Sequence, residues 1–248
     1  MYSVSNIERE NQCPKISIIT PIFERNKFKR LIISNLIKLD YPLNFIEYII
    51  DDDGQDEKFI NSAEELKEFK DAIYPIHLIY KHYNKKRTIG EKRNNLVKLA
   101  NNKLIANMDS DDLMMSNWLT HSLSIMKEGK YGLVGTNQMI FLYPHNDWKT
   151  TAIQCKEKRM IHEAGMLFTK KHHRAMGGFA KSSQGEGTSM IDNMNEKTIG
   201  LTKAQEVIMC ICHVSNTVNK DRFQDYKDLG AGKYISDYDK ELIFDAIN

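Results

Sequence analysis

Apolar residues arrive along this chain in short bursts, and two spacings alternate. Ile16-Ser17-Ile18-Ile19-Thr20 is a β-branched run that reads as a strand stopping at Pro21, a residue unable to donate to a sheet ladder. Phe28, Leu31, Ile32, Leu36 and Leu39 then recur at helical spacing, and that helix ends before Tyr41-Pro42. Phe45 to Ile50 is a second strand and runs into Asp51-Asp52-Asp53-Gly54. A polar helix is expected over 62–71, where Ser62 and Glu65 have the spacing of a capping box. Ile76 to Tyr80 is a third strand, 90–100 a helix with Leu96, Val97, Leu99 and Ala100 inward, and Leu104 to Met108 a fourth strand closing on Asp109-Ser110-Asp111-Asp112. Short apolar strands alternating with helices predict an α/β fold with a mostly parallel central sheet covered on both faces. Parallel strands end on one edge, and that edge is where such sheets bind ligands.

Beyond residue 116 the alternation weakens. A helix over 117–126, strands over 131–136 and 138–143, and a polar connection through His145-Asn146-Asp147 are expected. A strand over 165–169 and a helix over 170–176 closed by Gly177-Gly178 follow. Next come a Gly- and Ser-rich loop over 182–189 carrying Glu186, a strand over 207–214, and a charged tail from Lys220 with a helix near 239–246.

The 248 residues, 41% of them hydrophobic, suit one large domain. A net charge of +2 gives no electrostatic case for nucleic acid or an anionic membrane. Four cysteines are too few for a disulfide scaffold and lack zinc-site spacing, so reduced thiols are expected, with both sulfurs of Cys210-Ile211-Cys212 on one strand face. Met1 to Glu10 carries no apolar stretch, and no later run approaches the roughly 20 residues that span a bilayer. The expectation is a soluble, cytoplasmic protein without a transmembrane segment.

The acids after Met108 change the picture. Crowded carboxylates repel one another and resist leaving water, so at a buried strand end they call for a cation, and a hard divalent ion with oxygen ligands fits best. For an isolated D-x-D, a solvated turn capping the next helix explains the residues as well.

Five segments in order decide between these readings: Ile18 to Arg25, Ile49 to Gly54, Lys92-Arg93-Asn94, Met108 to Asp112, and Gly177-Gly178-Phe179 with Gly185-Glu186. Together they resemble a family 2 glycosyltransferase of the GT-A fold, a Rossmann-like α/β/α sandwich. The resemblance implies a single GT-A domain over 1–248, with a nucleotide-sugar-binding half at 14–115 and an acceptor-binding half at 116–248 that includes the tail. It implies a UDP-sugar donor, Mn²⁺ or Mg²⁺, and a glycan or protein acceptor. Thr20, Pro21, Phe23 and Glu24 would form the donor wall, Phe23 against the base. Asp52 or Asp53 would accept the uracil imide N–H, and Arg93 would hold the acidic cluster or reach the diphosphate. Asp111 would be the direct metal ligand, Asp109 would contact the ribose or the metal's water shell with Ser110 between them, and His213 would be a further ligand. Transfer in this family inverts the anomeric centre, with a base drawn from a Glu-Asp pair. Here the pair reads Glu186-Gly187, which makes Glu186 the expected base and Asp192 its fallback. The missing aspartate also motivates an alternative, a nucleotide-sugar-binding protein of the same fold without turnover. A nucleotidyltransferase ranks lower, because 20–30 contains no glycine for a phosphate loop.

Overall fold

Parallel pairing of β1 (Ile16–Ile22) with β2 (Ile46–Asp52) on one side and β4 (Leu104–Asn107) on the other makes the centre of the sheet in this computed structural model, which describes residues 13–192 and 194–248. With β3 (His77–His82), β6 (Leu133–Gly135), β9 (Leu167–Thr169) and β10 (Ile199–Leu201) the strand order is β10-β6-β9-β4-β1-β2-β3, and β9 alone runs antiparallel to its neighbours. Chain order proceeds outward from β1 through β2 to β3, then returns to the other side of β1 as β4. The reversal opens a crevice at the carboxyl ends of β1 and β4.

Alternation along the strands sorts the core onto two faces. Ile16, Ile18 and Ile22 of β1 pack with Ile46, Tyr48 and Ile50 of β2 under α1 (Lys29–Ile37), α2 (Ala63–Ala72) and α4 (Trp118–Gly129). Ile19 and Ile49 point the other way, toward Leu96 and Val97 of α3 (Ile89–Leu99). These elements match the mostly parallel sandwich expected from the sequence. Ser62 does cap α2, accepting the Glu65 N–H at 3.0 Å, while Thr88 and Glu91 form a full capping box on α3.

Several details differ from the sequence reading. β1 runs through Pro21, because the last β1–β4 pair is Ile19 with Asn107 and Pro21 has a neighbour only on its β2 side. The second half adds β6, β9 and β10 to this sheet and, with β5 (Leu113–Met114), builds a second, four-stranded one from β11 (Ile208–Ile211), β7 (Gln138–Tyr143) and β8 (Lys149–Gln154). β5, β8 and β10 escaped detection. Two are very short, and β8 is Thr-rich, buried only because the tail folds over it: Leu229 N–H reaches the Thr150 carbonyl at 2.8 Å. α6 (Asp237–Ile247) then packs Ile243 and Ile247 on Leu31, each fully buried aliphatic contributing about 1.5–3 kcal/mol. The short helix expected over 170–176 is α5 (Lys170–Ala175). All four cysteines are free, and Cys210 and Cys212 are buried together with Phe141 and Tyr143. Among the described residues no helix is long and apolar enough to cross a membrane. The polar lead, Met1 to Glu10, lies outside the described residues.

Candidate active site

The two acidic strand ends do different work. Asp52 Oδ1 accepts the Gly54 N–H at 2.9 Å, and its Oδ2 accepts the Phe59 N–H at 2.8 Å and the Tyr80 hydroxyl at 2.7 Å. Asp53 accepts Lys92 Nζ and the Arg87 N–H, both at 2.6 Å. Asp51 pairs with the Arg87 guanidinium and accepts Asn95 Nδ2 at 2.7 Å. All three are fully buried, and a buried carboxylate is tolerable when donors fill its lone pairs. The triplet therefore knots β2 to α3 and to the loop before it.

After β4 the acids face the crevice. Asp111 Oδ2 lies 3.2 Å from His213 Nε2 and 3.5 Å from Arg25 Nε, so the loops after β1, β4 and β11 converge on this carboxylate. Arg25 also reaches the Ser215 carbonyl at 2.9 Å. Asp109 Oδ1 accepts Arg93 Nη2 at 2.8 Å, and Arg93 Nε stands 3.2 Å from Glu186 Oε1. Arg93, only 2% exposed, thus joins the β4 turn to the Gly- and Ser-rich loop. Ser110 is buried between the two aspartates.

Their proton affinities diverge. Burial pushes the Asp111 carboxyl up, but the His213 hydrogen bond with the Arg25 and Lys220 charges outweighs it and brings the group down to about 2. At Asp112 burial wins over Lys220 and raises the carboxyl to about 8. Asp109 and Glu186 are both raised, chiefly by burial, with Arg93 opposing. Asp111 is therefore an anion throughout the physiological range.

Phe23 follows β1 as expected, half-buried, with Lys86 Nζ 3.7 Å and Lys92 Nζ 5.9 Å from its ring centroid. Glu24 adopts φ +51°, a left-handed turn uncommon for a non-glycine residue, and this throws Arg25 back toward Asp111. Pro21, Phe23, Arg25, Arg87 and Ser110 line a cavity of about 240 Å³. Thr20 is buried in β1, and its Oγ1 has no hydrogen-bond partner among the described residues. A second cavity, about 670 Å³, shares Asp109 and Asp111 with the first and extends past Glu186, Glu163 and His162 to an apolar wall that includes Phe141 and Phe223. Asp192 is exposed at its margin.

The structure therefore gathers Phe23, Arg93, Asp109, Ser110, Asp111, Glu186 and His213 around one crevice, whereas Asp52 and Asp53 are engaged by their own loops. Sequence reasoning gave no role to Arg25 and Lys92, although both lie in the matching segments, and missed Lys86, Glu163 and Lys220. A signal existed for the lysines, in Lys85-Lys86-Arg87 and in Lys92 beside Arg93. None existed for Glu163, which only folding brings near.

Among the described residues no three His, Cys, Asp or Glu side chains gather closely enough to hold a metal ion by themselves. Asp111 and His213 still fit a divalent cation. One is a hard anionic oxygen donor, the other an imidazole nitrogen, and their 3.2 Å separation is near the edge of about 3 Å between adjacent ligands in an octahedral shell. The remaining ligands would be phosphate and water oxygens.

No curated protein matches this sequence. Among solved structures, S. aureus TarS 1-349 in complex with UDP-GlcNAc superposes with a TM-score of 0.62 at 15% identity, covering 82% of this chain and 60% of that one. The mannosyltransferase PcManGT from Pyrobaculum calidifontis, in complex with GDP-Man and Mn²⁺, gives 0.62 at 13% identity, covering 85% of this chain and 59% of that one. The chain thus spans about 60% of the length of these neighbours, and the likeness is one of fold, the GT-A fold. The model of the family described as glycosyl transferase family 2 matches residues 17–183, a stretch that holds the sheet centre, α3, Asp109 to Asp111 and the loop before Glu186, and the chain belongs to that family.

Proposed function

We propose that this protein transfers a sugar from a nucleoside-diphosphate sugar to an acceptor hydroxyl, with a divalent cation at Asp111 and inversion at the anomeric carbon. The observation that carries this reading is the meeting of Asp111, His213 and Arg25 at the β1/β4 crevice, directly beside the Arg93-held pair Asp109 and Glu186. Phe23 offers an aromatic face to the base once Lys86 moves off it, and Lys86, Arg87 and Arg25 bring positive charge to the diphosphate. Bound at Asp111 and His213, Mn²⁺ or Mg²⁺ would supply further charge to the leaving group. Asp109, part-exposed and oriented by Arg93, faces the donor ribose or the cation's water shell.

A UDP-sugar is the proposed donor. That choice is supported by the family resemblance and by TarS, a neighbour of the same fold in complex with UDP-GlcNAc, while PcManGT, in complex with GDP-Man, keeps GDP-sugars in the test panel. The acceptor, a glycan or a protein hydroxyl, enters through the larger cavity, and a crevice carboxylate takes its proton. The half at 14–115 then serves the donor and the half at 116–248 the acceptor.

Incubation with Mn²⁺ and a panel of UDP- and GDP-sugars tests the proposal. Slow hydrolysis or transfer of one donor is expected. Saturable binding without turnover across donors and acceptors would favour the non-catalytic reading motivated by Gly187, and absence of binding would defeat both.

A further inference from the structure

The chain enters the crevice once more between β8 and β9, and Glu163 is the residue it delivers. Its carbonyl oxygen accepts from Arg93 Nη1 at 3.2 Å and Asn107 Nδ2 at 2.9 Å, which anchors it to α3 and to the end of β4, and from the Met166 N–H at 3.5 Å. Its side chain lines the larger cavity beside Asp109 and Glu186. There it accepts a single hydrogen bond among the described residues, from the Gly187 N–H at 3.3 Å, and it has no ion pair.

Gly187 itself has φ −76°, a conformation open to any residue. What demands glycine is the neighbour: a Cβ at 187 would stand 2.5 Å from Glu163 Cγ and 3.2 Å from Oε1. Position 187 yields its side-chain space to that of Glu163. The other two carboxylates around Arg93 are engaged, Asp109 at 2.8 Å and Glu186 at 3.2 Å from its guanidinium nitrogens. Those two carboxylates turn their oxygens to the guanidinium, whereas Glu163, with one hydrogen bond, leaves lone pairs free toward the cavity, where an acceptor hydroxyl can reach them.

We infer that Glu163 is the catalytic base, an inference that rests on the glycosyl-transfer reading above. As the acceptor oxygen forms its bond to the anomeric carbon, the bond from that carbon to the diphosphate oxygen breaks. Its electron pair leaves with the nucleoside diphosphate, and the acceptor proton passes to a Glu163 carboxylate oxygen. Glu186 is then a positioning residue that sets Arg93, and through Arg93 both Asp109 and the Glu163 backbone.

The test compares wild type, Glu163→Gln, Glu163→Ala and the double variant Glu163→Ala/Gly187→Asp. Donor Kd is measured by calorimetry, and turnover with whichever UDP- or GDP-sugar the wild type consumes in Mn²⁺. Glu163→Gln should slow turnover about 100-fold or more with donor Kd changed less than about twofold. The double variant returns a carboxylate to the same space and should recover at least about tenfold over Glu163→Ala, a rescue that a structural role would not give. Glu163→Gln turnover close to wild type would overturn the assignment alone. So would loss of donor binding in step with turnover and no recovery in the double variant. A wild type that binds donors and consumes none would remove the transfer reading and the assignment with it.

Discussion

Arg93 is the most heavily engaged buried cation in the crevice, and replacing it by methionine, which keeps much of the stem volume, removes charge with little change in shape. The guanidinium lies 2.8 Å from Asp109 Oδ1 and 3.2 Å from Glu186 Oε1, and donates at 3.2 Å to the Glu163 carbonyl. Breaking a buried ion pair from one side costs about 3–5 kcal/mol, because the partner charge stays behind without compensation. Glu186 is almost wholly buried, but the Asp109 side chain is 29% exposed and water offsets part of its share, so the lower figure of about 3 kcal/mol applies. At a urea slope of about 3 kcal/mol/M for a chain of this size, the unfolding midpoint should fall by about 1 M. The loss should also depend on pH. Burial, against the pull of Arg93, already holds both carboxyls above their ordinary range, and without Arg93 they rise further. A carboxyl whose folded pKa is raised binds its proton better folded than unfolded, so its contribution to stability is full below the unfolded pKa and lost as pH rises through the folded one. The penalty should therefore grow as pH rises above the ordinary carboxylate range and shrink toward acid. A midpoint that stays put at the higher pH, or a loss that grows toward acid, would refute the idea that this guanidinium holds two carboxylates.

Asp52→Asn turns an amide toward donors that a carboxylate satisfies, and should cost about 1–3 kcal/mol in urea unfolding while donor Kd stays within about twofold. A Kd raised about tenfold at unchanged stability would instead place Asp52 on the base. Asp112 has a folded pKa of about 8, above its ordinary range, so the stability it contributes is lost as pH rises toward that value. Asp112→Asn, neutral throughout, should flatten the decline in stability between about pH 4 and 8, and an unaltered slope would contradict the shift. In Gly90→Ala the new Cβ would lie 1.8 Å from the Ala180 carbonyl oxygen, which as backbone cannot swing aside. A loss of about 1–3 kcal/mol in thermal unfolding is expected, with slower turnover because 180–186 carries Glu186, and an unchanged Tm would show the contact to be slack.

Much of the first half was legible because its central strands β1, β2 and β4 are short apolar runs buried on both faces, and the period changes cleanly at each helix. The crevice followed from topology, since parallel strands must end together, and Asp109, Asp111 and Phe23 lie at strand ends. The second half was harder for a physical reason. β8 and β10 are buried by partners far along the chain, the tail and β6, so their own residues carry no strong pattern. For Asp52 and Asp53, expected to accept a base N–H, charge alone did not reveal how many hydrogen bonds the surrounding loops donate to them. Glu163 was invisible because its significance depends on a cavity wall that Gly187 vacates from 24 positions away. His213 was found only through the resemblance, since one histidine near a strand end has many ordinary explanations.

Calorimetric titration of UDP into wild type and Asp111→Ala, each with Mn²⁺ and with a chelator, bears most directly on the β1/β4 crevice as a metal-linked diphosphate site. Wild type should bind saturably and at least about tenfold more tightly with the metal, a coupling of about 1.4 kcal/mol or more that Asp111→Ala abolishes. UDP affinity indifferent to both the metal and Asp111, or no binding of UDP or GDP under any condition, would contradict it.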